Sequence, residues 1–130
     1  MKRLALFAGY DKDGIIDDYV VYYLRELSKV ADIIYVADCA MPKAELDKIY
    51  PYTIKAMAQY HGEYDFGSYK RAYLYAKKHK ILDNYDCLIL CNDSVYGPFV
   101  TTNTLIDNSE IMTEGGGLPF LYNKKYGAQS

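Results

Sequence analysis

The chain has 130 residues, the size of one domain that can bury a core without disulfide or metal staples. Fifteen Lys and Arg stand against seventeen Asp and Glu, and 51% of the residues are hydrophobic. That balance excludes both a disordered profile and the basic footprint of a duplex-binding protein, so no nucleic-acid partner is expected.

Two basic residues, Lys2 and Arg3, precede a short apolar run. The run is too short for the apolar region of a secretory signal, and Asp11 and Asp13 follow it at once. Arg3 to Ala8 is therefore predicted as the first β-strand, and Gly9 to Gly14 as a loop. Ile16, Val20, Tyr23, Leu27 and Val30 recur at helical spacing, which predicts a helix from Gly14 to Lys29. Asp17 and Asp18 fall in its first turn and Lys29 in its last, as the helix dipole favours.

Asp32 to Ala37 has the continuous β-branched character of a strand buried on both faces. Pro42 can open a second helix and Pro51 ends it. Lys55 to Gln59 is a weaker third strand. Phe66 to His79 is predicted as a third helix, with Tyr69, Ala72, Tyr73 and Ala76 on one face and a cationic carboxyl end. Asp83 and Asn84 make a turn, and Cys87 to Cys91 is the clearest strand of all. Thr101 to Met112 can form a short helix, Gly115 to Gly117 is a breaker, and no period is visible from Leu118 onward.

Alternating strands and helices define an α/β protein: a Rossmann-like parallel sheet with helices on both faces. The domain is expected to span residues 1–112, with 113–130 an irregular tail. No stretch reaches bilayer-spanning length. A cytoplasmic protein is expected, with docking at the inner membrane surface left open. Cys87 and Cys91 lie about 13 Å apart along one strand, too far for a disulfide, so reduced, partly buried thiols are expected. The sixteen Tyr are mostly packing residues, with a few available to stack on a base or sugar.

In open parallel sheets ligands bind beyond the carboxyl ends of the strands. Four loops qualify: Gly9 to Gly14, Asp38 to Met41, Tyr60 to Ser68, and Asn92 to Pro98. Tyr64-Asp65-Phe66-Gly67-Ser68-Tyr69-Lys70 opens a helix, whose free N–H groups favour phosphate, and Gly67 would let that phosphate come close. The plainer reading is a capping Asp65 and a glycine that eases the turn. Asn92 and Asp93 offer hard oxygen ligands suited to Mg²⁺ or Mn²⁺ on a diphosphate, or else cap a tight turn. His61 and His79 lack metal-ligand spacing and are expected to be exposed. No dinucleotide fingerprint, Walker loop or nucleophile elbow is present.

Three segments resemble one family. Leu6-Phe7-Ala8-Gly9-Tyr10-Asp11-Lys12-Asp13-Gly14 with Asp17-Asp18-Tyr19-Val20 is similar to the opening of rhamnan synthesis protein F. Gly62 to Lys70 and Leu90 to Pro98 are similar to later parts of it, in the same order, and the likeness covers residues 2–99. It implies a glycosyltransferase of the GT-A fold, acting in synthesis of rhamnose-containing cell-wall polysaccharide. The donor implied is a nucleotide-diphospho-sugar such as dTDP-rhamnose, and the acceptor a polysaccharide or lipid-linked glycan.

On that resemblance the donor-binding residues are Gly9, Tyr10, Asp11, Asp38, Asp65, Gly67, Ser68, Lys70, Asn92 and Asp93. A Mg²⁺ or Mn²⁺ ion would sit on Asp93, the single carboxylate where the family's Asp-x-Asp element falls. His61 and Glu63 stand where relatives carry Asn and Gly. Nothing beyond Phe99 matches the acceptor-binding half, so a truncated donor-binding portion is expected, with no catalytic base identified. The rival reading is a non-catalytic flavodoxin-like or response-regulator-like binding module. A folded remnant held together as a homo-oligomer is the third.

Overall fold

The computed structural model describes residues 2–93, together with the strand segments 120–123 and 127–128. Six strands and three helices are laid out in chain order among them. They run β1 (Arg3–Gly9), α1 (Asp18–Leu27), β2 (Asp32–Ala37), α2 (Lys43–Asp47), β3 (Lys55–Ala58) and α3 (Tyr64–Lys78). After these come β4 (Cys87–Asn92), β5 (Phe120–Asn123) and β6 (Gly127–Ala128).

The sheet order is β3-β2-β1-β4-β5-β6. The first four strands are parallel, with Gly9 beside Ala37 and Ala8 beside Asn92 at their carboxyl ends. This is the 3-2-1-4 order of dinucleotide-type sheets, not the 2-1-3 order of flavodoxin-like ones. Because strands in such a sheet are covered on both sides, β1 and β2 are buried almost throughout.

Successive residues point to opposite faces, and this splits the core in two. Phe7, Ile33, Tyr35, Ile89 and Cys91 pack with Val20, Tyr23, Leu24 and Leu27 of α1. Leu4, Leu6, Ile34, Val36 and Leu88 pack with Ala72 and Ala76 of α3. The buried side of α3 is built from Gly67, Ser68, Ala72 and Ala76, and such small residues let a helix lie close over β1 and β2. Tyr73, grouped with Ala72 and Ala76 by spacing, is 41% exposed.

Three sequence expectations need correction. The first helix starts at Asp18 because Asp11 Oδ2 accepts the N–H groups of Asp13 and Ile15 at 2.8 and 3.0 Å, holding the preceding loop as a turn. The third helix begins earlier than expected, at Tyr64. The segment 113–130, expected as an irregular tail, supplies β5 and β6: Phe120–Asn123 pairs antiparallel with β4, Leu90 opposite Phe120. A four-residue strand is too short to show a period, and β4's open edge is what recruits it. The helix expected over 101–112, the breaker at 115–117 and the loop residues 94–98 lie outside the described residues. Cys39, Cys87 and Cys91 are free and buried.

Candidate functional site

The chain leaves β1 toward β2 over the α1 face and returns from β3 to β4 over the α3 face. The two directions part between β1 and β4, and a crevice opens there at the strands' carboxyl ends. A cleft of about 530 Å³ occupies this rim, lined by Tyr10, Asp38, Tyr60, Gly62, Tyr64, Asp65 and Asp93. Residues following each parallel strand contribute to it, and its volume suits a small-molecule ligand. Among the described residues that line it there is no Lys or Arg.

Asp38 leaves β2 and is buried. Its Oδ1 accepts the N–H groups of His61 at 2.7 Å and Gly62 at 2.9 Å, and its Oδ2 accepts that of Tyr64 at 3.2 Å. Burial works against the charge, but these N–H donors outweigh it and hold the carboxyl below its ordinary range. Of the N–H groups at the start of the third helix expected to receive a phosphate, that of Tyr64 is thus already taken by an internal anion.

Asp38, His61 and Ser68 also stand in the order of a nucleophilic triad. Asp38 Oδ1 is 3.5 Å from His61 Nδ1, and His61 Nε2 is 2.9 Å from Ser68 Oγ. The geometry argues against that chemistry. Glu63 N–H donates to Nδ1 at 3.0 Å, so the proton sits on Nε2, and the hydrogen bond to Ser68 runs from imidazole to hydroxyl. Ser68 is 1% exposed, out of a substrate's reach. His61, expected to be exposed, has a side chain only 2% exposed because it fills the space beside Gly67.

Asp93 follows β4 directly, and its Oδ2 accepts Tyr10 N–H at 2.7 Å, tying the tips of β4 and β1 together. Burial pushes its carboxyl up to about 6; the Tyr10 bond opposes this, and the neighbouring Asp65 adds to it. Burial also raises Asp65, against a 3.0 Å hydrogen bond from Asn92 Nδ2. Two carboxylates reluctant to ionise in a cleft without cations make a site that favours ligands bringing positive charge.

Of the ten residues singled out from sequence, Tyr10, Asp38, Asp65 and Asp93 line the cleft. Asn92 supports it through Asp65. The others do not reach it. Gly9 lies beneath the Tyr35 ring, where a Cβ would come within 2.6 Å of Tyr35 Cζ. Asp11 is turned into its own loop. A Cβ on Gly67 would lie 2.8 Å from His61 Cε1, so this glycine makes room for the histidine and not for phosphate. Ser68 is bound to His61. Lys70 belongs to a separate apolar groove with Leu6, Phe66 and Leu90. Tyr60, Gly62 and Tyr64 lie in the candidate loop at 60–68 but were not singled out within it; two tyrosines flanking His-Gly-Glu after a strand were the available signal.

The donor set fits a divalent ion only in part. Among the described residues no group of three or more His, Cys, Asp or Glu side chains could enclose one. Mg²⁺ commonly binds through one or two carboxylates plus substrate phosphates, and Asp93 suits that pattern.

Comparison of the chain with protein-family models, with curated proteins and with solved structures finds no match. The architecture supports the class, an α/β protein with a Rossmann-like parallel sheet and a cleft at its strand ends. No helix among the described residues is long and apolar enough to cross a membrane.

Proposed function

We propose that this chain is a glycosyltransferase-like domain related to rhamnan synthesis protein F, and that it binds a nucleotide-diphospho-sugar such as dTDP-rhamnose. The observation carrying this reading is the position and lining of the cleft. It lies where β1 and β4 part, with exposed tyrosine rings for a base and carboxylates for hydroxyl and N–H donors. The GT-A assignment rests on the segment resemblance together with the 3-2-1-4 parallel order.

A cleft lined by Asp38, Asp65 and Asp93 repels a bare diphosphate. Mg²⁺ or Mn²⁺ entering with the donor would offset that repulsion, with Asp93 as its protein ligand. Asp65 is then free to accept a hydroxyl, and Asp38 keeps the loop at 61–64 in place. Transfer to a polysaccharide or lipid-linked acceptor requires a base for the acceptor hydroxyl, and none is assigned among the described residues. Cytoplasmic action at the inner membrane surface, and self-association through the outward side of α3, complete the proposal. Phe66, Tyr73 and Leu74 are exposed on that side.

A thermal-shift series with dTDP and UDP, each with and without Mn²⁺, tests the donor reading. A rise in midpoint only with nucleotide and metal together is expected, because a ligand of the native state stabilises by mass action. No shift with either nucleotide in the presence of Mn²⁺ would sink it.

A further inference from the structure

The residue at position 64 is anomalous for a surface tyrosine. Its φ is 59°, in the left-handed region where a side chain with a Cβ is strained. Two residues earlier the chain uses glycine for the same conformation, at Gly62 with φ 74°. Among the described residues the other non-glycine with positive φ, Lys80, stands just past the end of α3, where left-handed backbone is an ordinary helix stop. Tyr64 stands at the start of a helix, where nothing of the kind is needed.

The fold gains little packing from the ring in return. Tyr64 is 81% exposed, the highest value among the exposed large hydrophobic side chains of the described residues. It nevertheless lines the cleft. Its backbone is held from below, since Tyr64 N–H donates to Asp38 Oδ2, whose other oxygen fixes His61 and Gly62. Strain retained at a ligand-sized cleft, on an aromatic residue that the core does not use, points to a role in binding.

We propose that Tyr64 is the ring that stacks on the ligand's planar base, held for it by the strained loop beneath. The inference rests on the nucleotide reading and names one residue for its base subsite. Stacking accounts for an aromatic side chain that is presented on a fixed backbone and left bare. The cleft's other side chains, carboxylates and two further tyrosines, supply hydrogen bonding and shape around it.

The experiment compares wild type, Tyr64→Phe and Tyr64→Gly for binding of dTDP and of inorganic pyrophosphate, both with Mn²⁺, and records each protein's melting midpoint. Tyr64→Phe should bind dTDP within about threefold of wild type, and Tyr64→Gly roughly tenfold or more weakly, as loss of one base stack implies. Pyrophosphate, which has no base, should bind all three alike. Tyr64→Gly should melt no lower than wild type, because glycine adopts this φ without strain; a structural tyrosine would lower it. If wild type binds dTDP and Tyr64→Gly binds it equally well, the stacking role is overturned while the nucleotide reading stands. If wild type binds no nucleotide, both fall.

Discussion

The carboxylate of Asp38, just past the end of β2, accepts the backbone N–H of Gly62 at 2.9 Å, and so ties the second strand of the sheet to the loop that enters α3. Two more N–H groups of that loop share the same carboxylate. Asp38→Ala should therefore cost about 2–4 kcal/mol, since it leaves several partly buried N–H groups without their acceptor. Asp38→Asn keeps an acceptor oxygen and should cost less. Denaturant unfolding of the three proteins checks the order, and an alanine variant as stable as wild type would refute it. Because the folded pKa is lowered, the contribution is present above the ordinary carboxylate range and disappears as pH falls through the folded value.

Asp93 has the opposite sign. Its folded pKa is raised to about 6 by burial, so the folded state binds the proton more tightly than the unfolded chain does. The resulting stabilisation is complete below about pH 4 and is lost as pH rises through about 6. Asp93→Asn removes the ionisation and keeps an acceptor for Tyr10 N–H. The ligand-free variant should exceed wild type by roughly 1–3 kcal/mol at pH 8 and match it near pH 4. Unfolding curves at the two pH values decide this, and equal stability at pH 8 would count against it.

That same substitution bears on function. Asp93→Asn should abolish the part of the dTDP thermal shift that depends on Mn²⁺, although the apo protein melts higher. The two effects move in opposite directions, which separates lost binding from lost folding. A metal-dependent shift of undiminished size would remove Asp93 from the site.

Gly67 fixes how closely α3 lies against the His61 ring. A methyl there would overlap Glu63 Cβ and come within 2.8 Å of His61 Cε1, while Glu63 is itself held by Arg71. Gly67→Ala should destabilise by about 1–3 kcal/mol despite alanine's better helix propensity. Calorimetry would show a lowered midpoint; a raised one would mean that the ring has ample room to move.

How legible the molecule was can be judged from particular segments. Arg3–Gly9, Asp32–Ala37 and Cys87–Asn92 announced themselves because strands buried on both faces need unbroken apolar runs, and that need is written residue by residue. The position of the cleft followed from it, since loops after parallel strands gather on one rim. β5 stayed hidden because Phe120–Asn123 forms a strand only by meeting the edge of β4, a partner 30 residues earlier in the chain at Leu90.

Within the site the division is the same. Sequence determined that Asp38, Asp65 and Asp93 would follow strands or open a helix, and so lie at the ligand-binding end. It could not tell that Asp38 would turn inward to receive the N–H groups of His61, Gly62 and Tyr64. Nor could it tell that Gly67 would make room for His61 and not for a ligand, or that Tyr64 would stand strained and bare. The Asp38 contacts join residues 23 to 26 positions apart, brought within hydrogen-bonding reach only when the third helix settles over the first two strands. Local pattern encodes which faces must be buried, whereas side-chain partners across loops are set by packing, and no periodicity records them.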